Sequence, residues 1–256
     1  MPAQVSDDPA MVIAVGVLAA SLADVLHEAV GHGLGCIAGG GQITLLTSIW
    51  FRCHDATALT DAGGPIGSLV AGMAAFAVLS GTKPNRTTRL FLVLLGAISL
   101  FWFAGQLIFH ALHNRDDWFF VARRMGWSPV WRPIAVALGL CCYYVTMSLS
   151  AAALPATQPP WQRAVRLAYV ASAVSAVVAG LLWRPAPIRS GFEAFQTLGV
   201  LPLGLLFLRT GTELPSAGVP IKRSGRWIIA SAVVFAVFAA VQGRGVGRLA
   251  TVGLPD

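Results

Sequence analysis

The chain has 256 residues, of which 56% are hydrophobic and only 11% charged. A soluble domain carries roughly 25% charged residues, so too little polar side chain is present to cover a water-facing globule. The net charge of +7 does not point to nucleic acid, because its Lys and Arg are spread through short connections between apolar stretches, where interfacial anchoring and snorkelling account for them. The fold class expected is an all-α polytopic membrane protein, multi-pass, in the cell membrane, with membrane lipids as its surroundings.

A helix that crosses hydrocarbon needs about 20 mainly apolar residues. On that measure six to seven transmembrane helices are predicted, at 11–37, 62–80, 90–112, 133–154, 164–183, 192–208 and 227–241. The leader before the first of them has Asp7 and Asp8 where a secretory signal has a basic n-region, so the first span is expected to be retained. No repeat, low-complexity tract or long linker divides the chain, and residues 1–256 read as a single membrane domain.

The first span contains His27-Glu28-Ala29-Val30-Gly31-His32. Ionisable groups in a membrane-length segment are costly and usually functional. Two imidazoles and a carboxylate are also the parts of a hydrolytic zinc site, with His27 and His32 as neutral nitrogen ligands and Glu28 handling protons. The common zincin spacing is H-E-x-x-H, and here one more residue separates the histidines. On a regular helix an i, i+5 pair is displaced by roughly 140°. Two such ligands meet at one ion only if the helix carries a π-bulge, and Gly31, lacking a Cβ, is the expected place for it. Asp24, one turn before Glu28, is a candidate to accept the free N–H of a ligand histidine.

Gly39-Gly40-Gly41 should stop the first helix. The following stretch, 42–51, is rich in β-branched and aromatic residues and reads as one extended strand or a small hairpin. Cys36 and Cys53 flank this region and would pair if it faces an oxidising compartment, and His54 with Asp55 reads as a polar turn. In the third span His110 and His113 share a face as an i, i+3 pair. They are either extra ligands, a proton path or interfacial histidines, and Gln106 is either a substrate-positioning amide or an interhelical hydrogen bond. Cys141 and Cys142 read as small apolar residues of a span. The sixth span, with Glu193, Gln196 and Pro202, is expected to be broken or interfacial, and Glu193 is either a substrate or proton group or a helix-start carboxylate near Arg189. A polar loop is predicted at 211–225. Basic residues occur in similar numbers on the two alternating sides, so the positive-inside rule leaves the orientation open.

The His27–His32 run has the H-E-x-x-G-H form of the zinc motif of the dipeptidyl peptidase III family, a resemblance confined to these six residues. Over roughly the first half of the chain the pattern more closely resembles the site-2 protease type of intramembrane zinc metalloproteases. The elements that carry it are His27, Glu28 and His32 on an early span, the 42–51 strand region, then Asp61-Ala62-Gly63-Gly64-Pro65-Ile66-Gly67-Ser68, and Asn114-Arg115-Asp116-Asp117-Trp118. Three places differ from that family: the longer histidine spacing, the A-G-P element, which here is Gly63-Gly64-Pro65 with Ser68 where an Asn is frequent, and Asp116-Asp117-Trp118 where a D-G pair is usual. The resemblance implies a metalloprotease-like core over 11–154, with 155–256 supplying additional transmembrane helices. It further implies a third ligand from the aspartate segment, for which Asp117 is favoured because it directly precedes Trp118 and a helix-like run; Asp116 is the alternative. Zn2+ would be the cofactor, with Glu28 as catalytic base and a membrane-protein or peptide segment as substrate. Other readings use the same residues: a proton- or cation-coupled transporter, a catalytically inert relative that keeps the fold and binds a partner, and a purely structural polar cluster in which Asp24, His27, Glu28 and His32 satisfy one another between helices.

Overall fold

The computed structural model describes residues 6–154, 161–208 and 219–247. The first residues of the leader, most of the loop predicted at 211–225 and the tail lie outside the described residues. Among the described residues, seven helices are long and apolar enough to cross a membrane: α1 (Pro9–Ala38), α2 (Ala58–Gly81), α3 (Arg86–His113), α5 (Trp131–Ala152), α6 (Trp161–Leu181), α7 (Pro187–Phe207) and α8 (Gly225–Gly243). A short helix, α4 (Asp117–Arg124), joins α3 to α5. Three short strands, β1 (Gln42–Leu46), β2 (Phe51–His54) and β3 (Val246–Gly247), form one antiparallel sheet in the order β2-β1-β3. The chain is thus a multi-pass helical membrane protein with a small hairpin after its first helix.

Local chemistry sets the helix starts. Asp8 accepts the N–H of Met11 (2.8 Å) with Pro9 in the first turn of α1. Thr57 and Thr60 form a capping box on α2, and Asn85 accepts the N–H of Thr88 (2.9 Å) on α3, each satisfying donors that a helix start leaves orphaned. In the hairpin turn, Thr47 Oγ1 accepts from the backbone of Ile49 (3.1 Å) and Trp50 (2.7 Å).

α3 is the most enclosed span, whereas α5 and α8 lie at the rim. The main core is built where α1, α3, α6 and α7 meet, around Met11, Ile98, Phe101, Trp161, Ala168 and Leu198. The opposite surfaces carry exposed Leu34, Ile37, Val70, Tyr144, Val174 and Ile229, as expected where lipid rather than water is the solvent. The sixth span is broken as its sequence suggested: α-helical to Phe195, π-helical over Gln196–Val200, then 3₁₀ with Pro202 outside helical geometry (φ −85°, ψ 20°). Glu193 is not free. It pairs with Arg189 (3.1 Å) and accepts the indole N–H of Trp50, tying α7 to the hairpin turn.

The two ends of the bundle are each cross-tied. At one end Asp7 receives Arg86 (3.1 and 2.9 Å) and the backbone N–H of Ile221 (2.7 Å), with the guanidinium 3.8 Å above the Trp161 ring. At the other, Leu45 and Leu46 of β1 pair with Gly247 and Val246 just past α8. Cys36, at the end of α1, is bonded to Cys53 on β2, and Cys141 and Cys142 are free.

Candidate metal centre

The spacing of the two histidines demands a local change of helical pitch, and α1 makes it. Leu26–His32 is π-helical, flanked by α-helix on both sides. A π-turn closes at i+5, so His27 and His32 come to one face, their rings 5.0 Å apart and nearly perpendicular at 82°. Gly31 has a second reason to be glycine. A Cβ there would be driven into the carbonyl of Gly63, where the backbones of α1 and α2 touch. Gly64, one residue on, faces the rings themselves, and a Cβ on it would collide with the Nε2 atoms of both His27 and His32.

Each ring is fixed from its far nitrogen. His32 Nδ1 lies 2.8 Å from the carbonyl oxygen of Thr60, an acceptor only, so Nδ1 carries the proton and Nε2 the lone pair. His27 Nδ1 lies 2.9 Å from Ser68 Oγ, which is fully buried. His27 stacks on Trp102 (4.0 Å, 12°) and His32 on Phe51 of β2 (5.4 Å, 16°). Both Nε2 atoms are left pointing at the same place, in the arrangement that outer partners impose on metal-ligating histidines.

Asp117 arrives at that place from the connection after α3. Asn114 closes α3 in the left-handed region (φ 57°) and Asp116 follows at φ 67° and ψ −167°. These two residues turn the chain back so that α4 packs against α2 and α3 with Asp117 beside the two histidines. Trp118 donates its N–H to His110 Nδ1 (3.2 Å), and Arg124 pairs with Asp61 of α2, holding α4 in position from both ends. Asp117 Oδ2 is then 3.6 Å from His27 Nε2 and Oδ1 is 3.4 Å from His32 Nε2. Ligand atoms of His27, His32 and Asp117 all lie within 4.8 Å of one another, close enough to hold a metal ion. The Asp117 carboxylate supplies the oxygen donor of the group.

Two buried polar atoms beside the group have no partner among the described residues. One is Glu28 Oε2, on a side chain only 3% exposed. The other is Gln106 Oε1, while the same side chain donates from Nε2 to Asp117 Oδ2 (2.7 Å). A buried acceptor without a donor is costly, so both oxygens are open to a hydrogen bond that the described residues do not supply.

Of the other candidates from the sequence, Asp24 lies elsewhere. Its Oδ1 accepts from Gln242 of α8 (3.4 Å), because the rings turn toward α2 whereas Asp24 faces α8; Ser68 and the Thr60 carbonyl take the place expected for it. Asp116 points away from the three ligand atoms, its half-exposed carboxylate 3.8 Å from His110 and 3.6 Å from Arg115. His110 is buried but serves the α4 backbone, and His113 is exposed and bonded to the Phe109 carbonyl. Neither joins the metal group. The pair His54 and Asp55 is exposed at the hairpin end, 3.6 Å apart. Sequence reasoning missed Trp102, Phe51 and the Thr60 carbonyl as supports, and saw Ser68 only as an unusual residue. The signal available was its place one turn beyond the Gly63-Gly64-Pro65 element.

The backbone of Asp116 sits in a region that glycine enters freely and other residues enter at a cost of roughly 1–3 kcal/mol. Asp116→Gly is therefore expected to raise the thermal unfolding temperature in detergent and to leave metal content unchanged. Equal loss of metal in this variant would show that Asp116 and not Asp117 is the ligand.

An apolar groove of about 690 Å³ runs along the outer side of the α1–α2 contact, floored by Gly31, Gly35, Gly63 and Gly67. Its lining has no charged or hydrogen-bonding side chain, so the chemistry resides in the polar group described above and not there. Comparison of the chain with family models, curated proteins and solved structures finds no match.

Proposed function

We propose that the protein is an intramembrane zinc metallopeptidase of the site-2 protease type, hydrolysing peptide bonds in or near the membrane. The observation that carries this reading is the meeting of His27 Nε2, His32 Nε2 and the Asp117 carboxylate inside a membrane-spanning bundle, with both Nδ1 atoms already engaged. Ligands about 2.0–2.1 Å from a tetrahedral zinc stand roughly 3.4 Å apart; here His27 Nε2 is 3.6 Å from Asp117 Oδ2, His32 Nε2 is 3.4 Å from the other oxygen, Oδ1, and one ligand atom from each residue lies within 4.8 Å of the others. The donor types fit as well, two neutral imidazoles and one carboxylate leaving a position open.

Zinc bound there would polarise a scissile carbonyl and bring the pKa of water to about 7. Glu28 is the residue that moves the proton: Oε2, buried and without a partner, takes it from the attacking water and delivers it to the leaving amine. Gln106 holds Asp117 through one oxygen and keeps the carboxylate turned to both histidines. Ser68 and Thr60 keep the rings oriented, and the Trp102 and Phe51 faces shield them from bulk water. The spans and the hairpin around the ligand group are the elements that select the substrate. The substrate is a membrane-protein segment unwound enough to reach the ligand group.

The test is hydrolysis of fluorescein-labelled casein and of single-span model substrates by the detergent-purified protein. Treatment with 1,10-phenanthroline is expected to abolish cleavage and equimolar zinc to restore it. Cleavage that survives the chelator, or that zinc fails to restore, contradicts the proposal.

A further inference from the structure

The basic residues of the connections divide in similar numbers between the two ends of the bundle, so charge leaves open which end faces the cytoplasm. The cysteines do not. Cys36 and Cys53 are joined, with Cα atoms 5.9 Å apart, and both lie past His32 at the end of the bundle that carries the sheet. Disulfides form and persist in oxidising compartments, whereas cytosolic thiols are held reduced by glutathione and thioredoxin. Cys141 and Cys142, within the α5 span, are free. We infer that the sheet-bearing face of the protein, and with it the mouth of the metal centre, lies on the oxidising side of the membrane.

The metal group belongs to this face by its own geometry. Asp117 enters from the α3–α4 connection at the same end, and its carboxylate is the most exposed of the three candidate ligands (17%, against 1% for His27 and 7% for His32). Water therefore reaches the group from the sheet side. The disulfide is also mechanically part of the site. Cys36 follows His32 by one turn, and Cys53 sits two residues beyond Phe51, whose ring covers His32. The bond staples β2 to the helix that bears both histidines, and with it the aromatic lid on one of them.

The fold fixes every other connection once this face is assigned. The β1–β3 pairing puts the end of α8 beside the hairpin, as seven crossings require. The Asp7–Arg86–Ile221 cluster marks the opposite, reducing face. If the peptidase reading holds, substrates are segments presented from the oxidising side, and the product released to water leaves on that side.

The experiment reads orientation without reference to activity. In a Cys141→Ala, Cys142→Ala background, Ser128→Cys, in the α4–α5 connection, and Lys83→Cys, in the α2–α3 connection, each add one exposed thiol. Spheroplasts are treated with a membrane-impermeant maleimide before and after permeabilisation. Ser128→Cys is expected to label in sealed spheroplasts and Lys83→Cys only after permeabilisation. Protein from cells quenched with N-ethylmaleimide before lysis is expected to yield the Cys36–Cys53 peptides as a linked pair. Reversed labelling, or recovery of Cys36 and Cys53 as alkylated free thiols, overturns the inference. Zinc content of the purified protein is measured separately, so this inference and the metallopeptidase reading fail independently.

Discussion

Gly64→Ala is expected to empty the metal centre while leaving a folded seven-span protein. Gly64 lies on α2 against both imidazoles, and a single methyl at its Cβ position occupies the space of His27 Nε2 and His32 Nε2 together. Helix geometry at this position suits alanine, so α2 itself is not threatened; Ala is the better helix former of the two. The overpacking is local and costs about 1–3 kcal/mol, which the rings relieve by swinging off the point where they meet Asp117. Loss of an outer partner costs roughly 10–100-fold in metal affinity, and displacement of two ligands at once should reach at least the upper end of that range. Competition with a chromophoric chelator measures it, with circular dichroism and elution volume reporting the fold. Unchanged metal affinity in Gly64→Ala would mean that the rings do not converge where the structure puts them.

Glu28→Gln should separate the possible uses of the same residues. Glutamine keeps the shape and the hydrogen-bonding reach of glutamate and loses the ability to accept a proton. Because Glu28 is not among the three atoms that converge, the variant is expected to retain zinc. Proton transfer by a positioned side chain contributes about 10²–10⁴-fold to rate, so casein cleavage should fall by at least that lower figure. A variant that keeps full hydrolysis would remove Glu28 from the catalytic role. Loss of cation flux in proteoliposomes, with no hydrolysis in wild type, would favour the transporter reading of this cluster.

Much of the fold was legible because lipid imposes a single dominant rule. Each span had to be apolar over membrane length, and all seven predicted segments correspond to helices with ends shifted by a few residues. The π-turn was legible for a different reason. Two histidines five apart cannot share a face on a regular helix, so the spacing itself required the distortion that Leu26–His32 shows. Pro202 likewise announced the break in α7. The hairpin runs a little beyond the predicted 42–51 region because β2 continues through Cys53 to His54, where the disulfide and the pairing with Gln42 hold it.

What stayed hidden depends on how helices dock. Asp24 and His27 are neighbours on a regular helix, which suggested a carboxylate–histidine pair. The close approach of α1 and α2 through Gly31 and Gly63 instead brings Ser68 and the Thr60 carbonyl to the rings, while Asp24 meets Gln242 from the far end of the chain. Sequence proximity could not decide between Asp116 and Asp117 either, because adjacent residues at a helix start point in different directions. The positive φ of Asp116 turns that choice, sending Asp117 inward and Asp116 toward His110 and Arg115. Strand β3 carries no periodic signal in two residues, and only its pairing with β1 reveals it.

The most direct measurement is the metal content of the detergent-purified protein by inductively coupled plasma mass spectrometry, for wild type and for His27→Ala and His32→Ala. Wild type is expected to carry zinc equimolar with the chain and both variants to carry little or none, with all three eluting as the same folded species. Absence of zinc from wild type, or equal zinc in wild type and the two variants, would contradict a zinc centre built from these histidines.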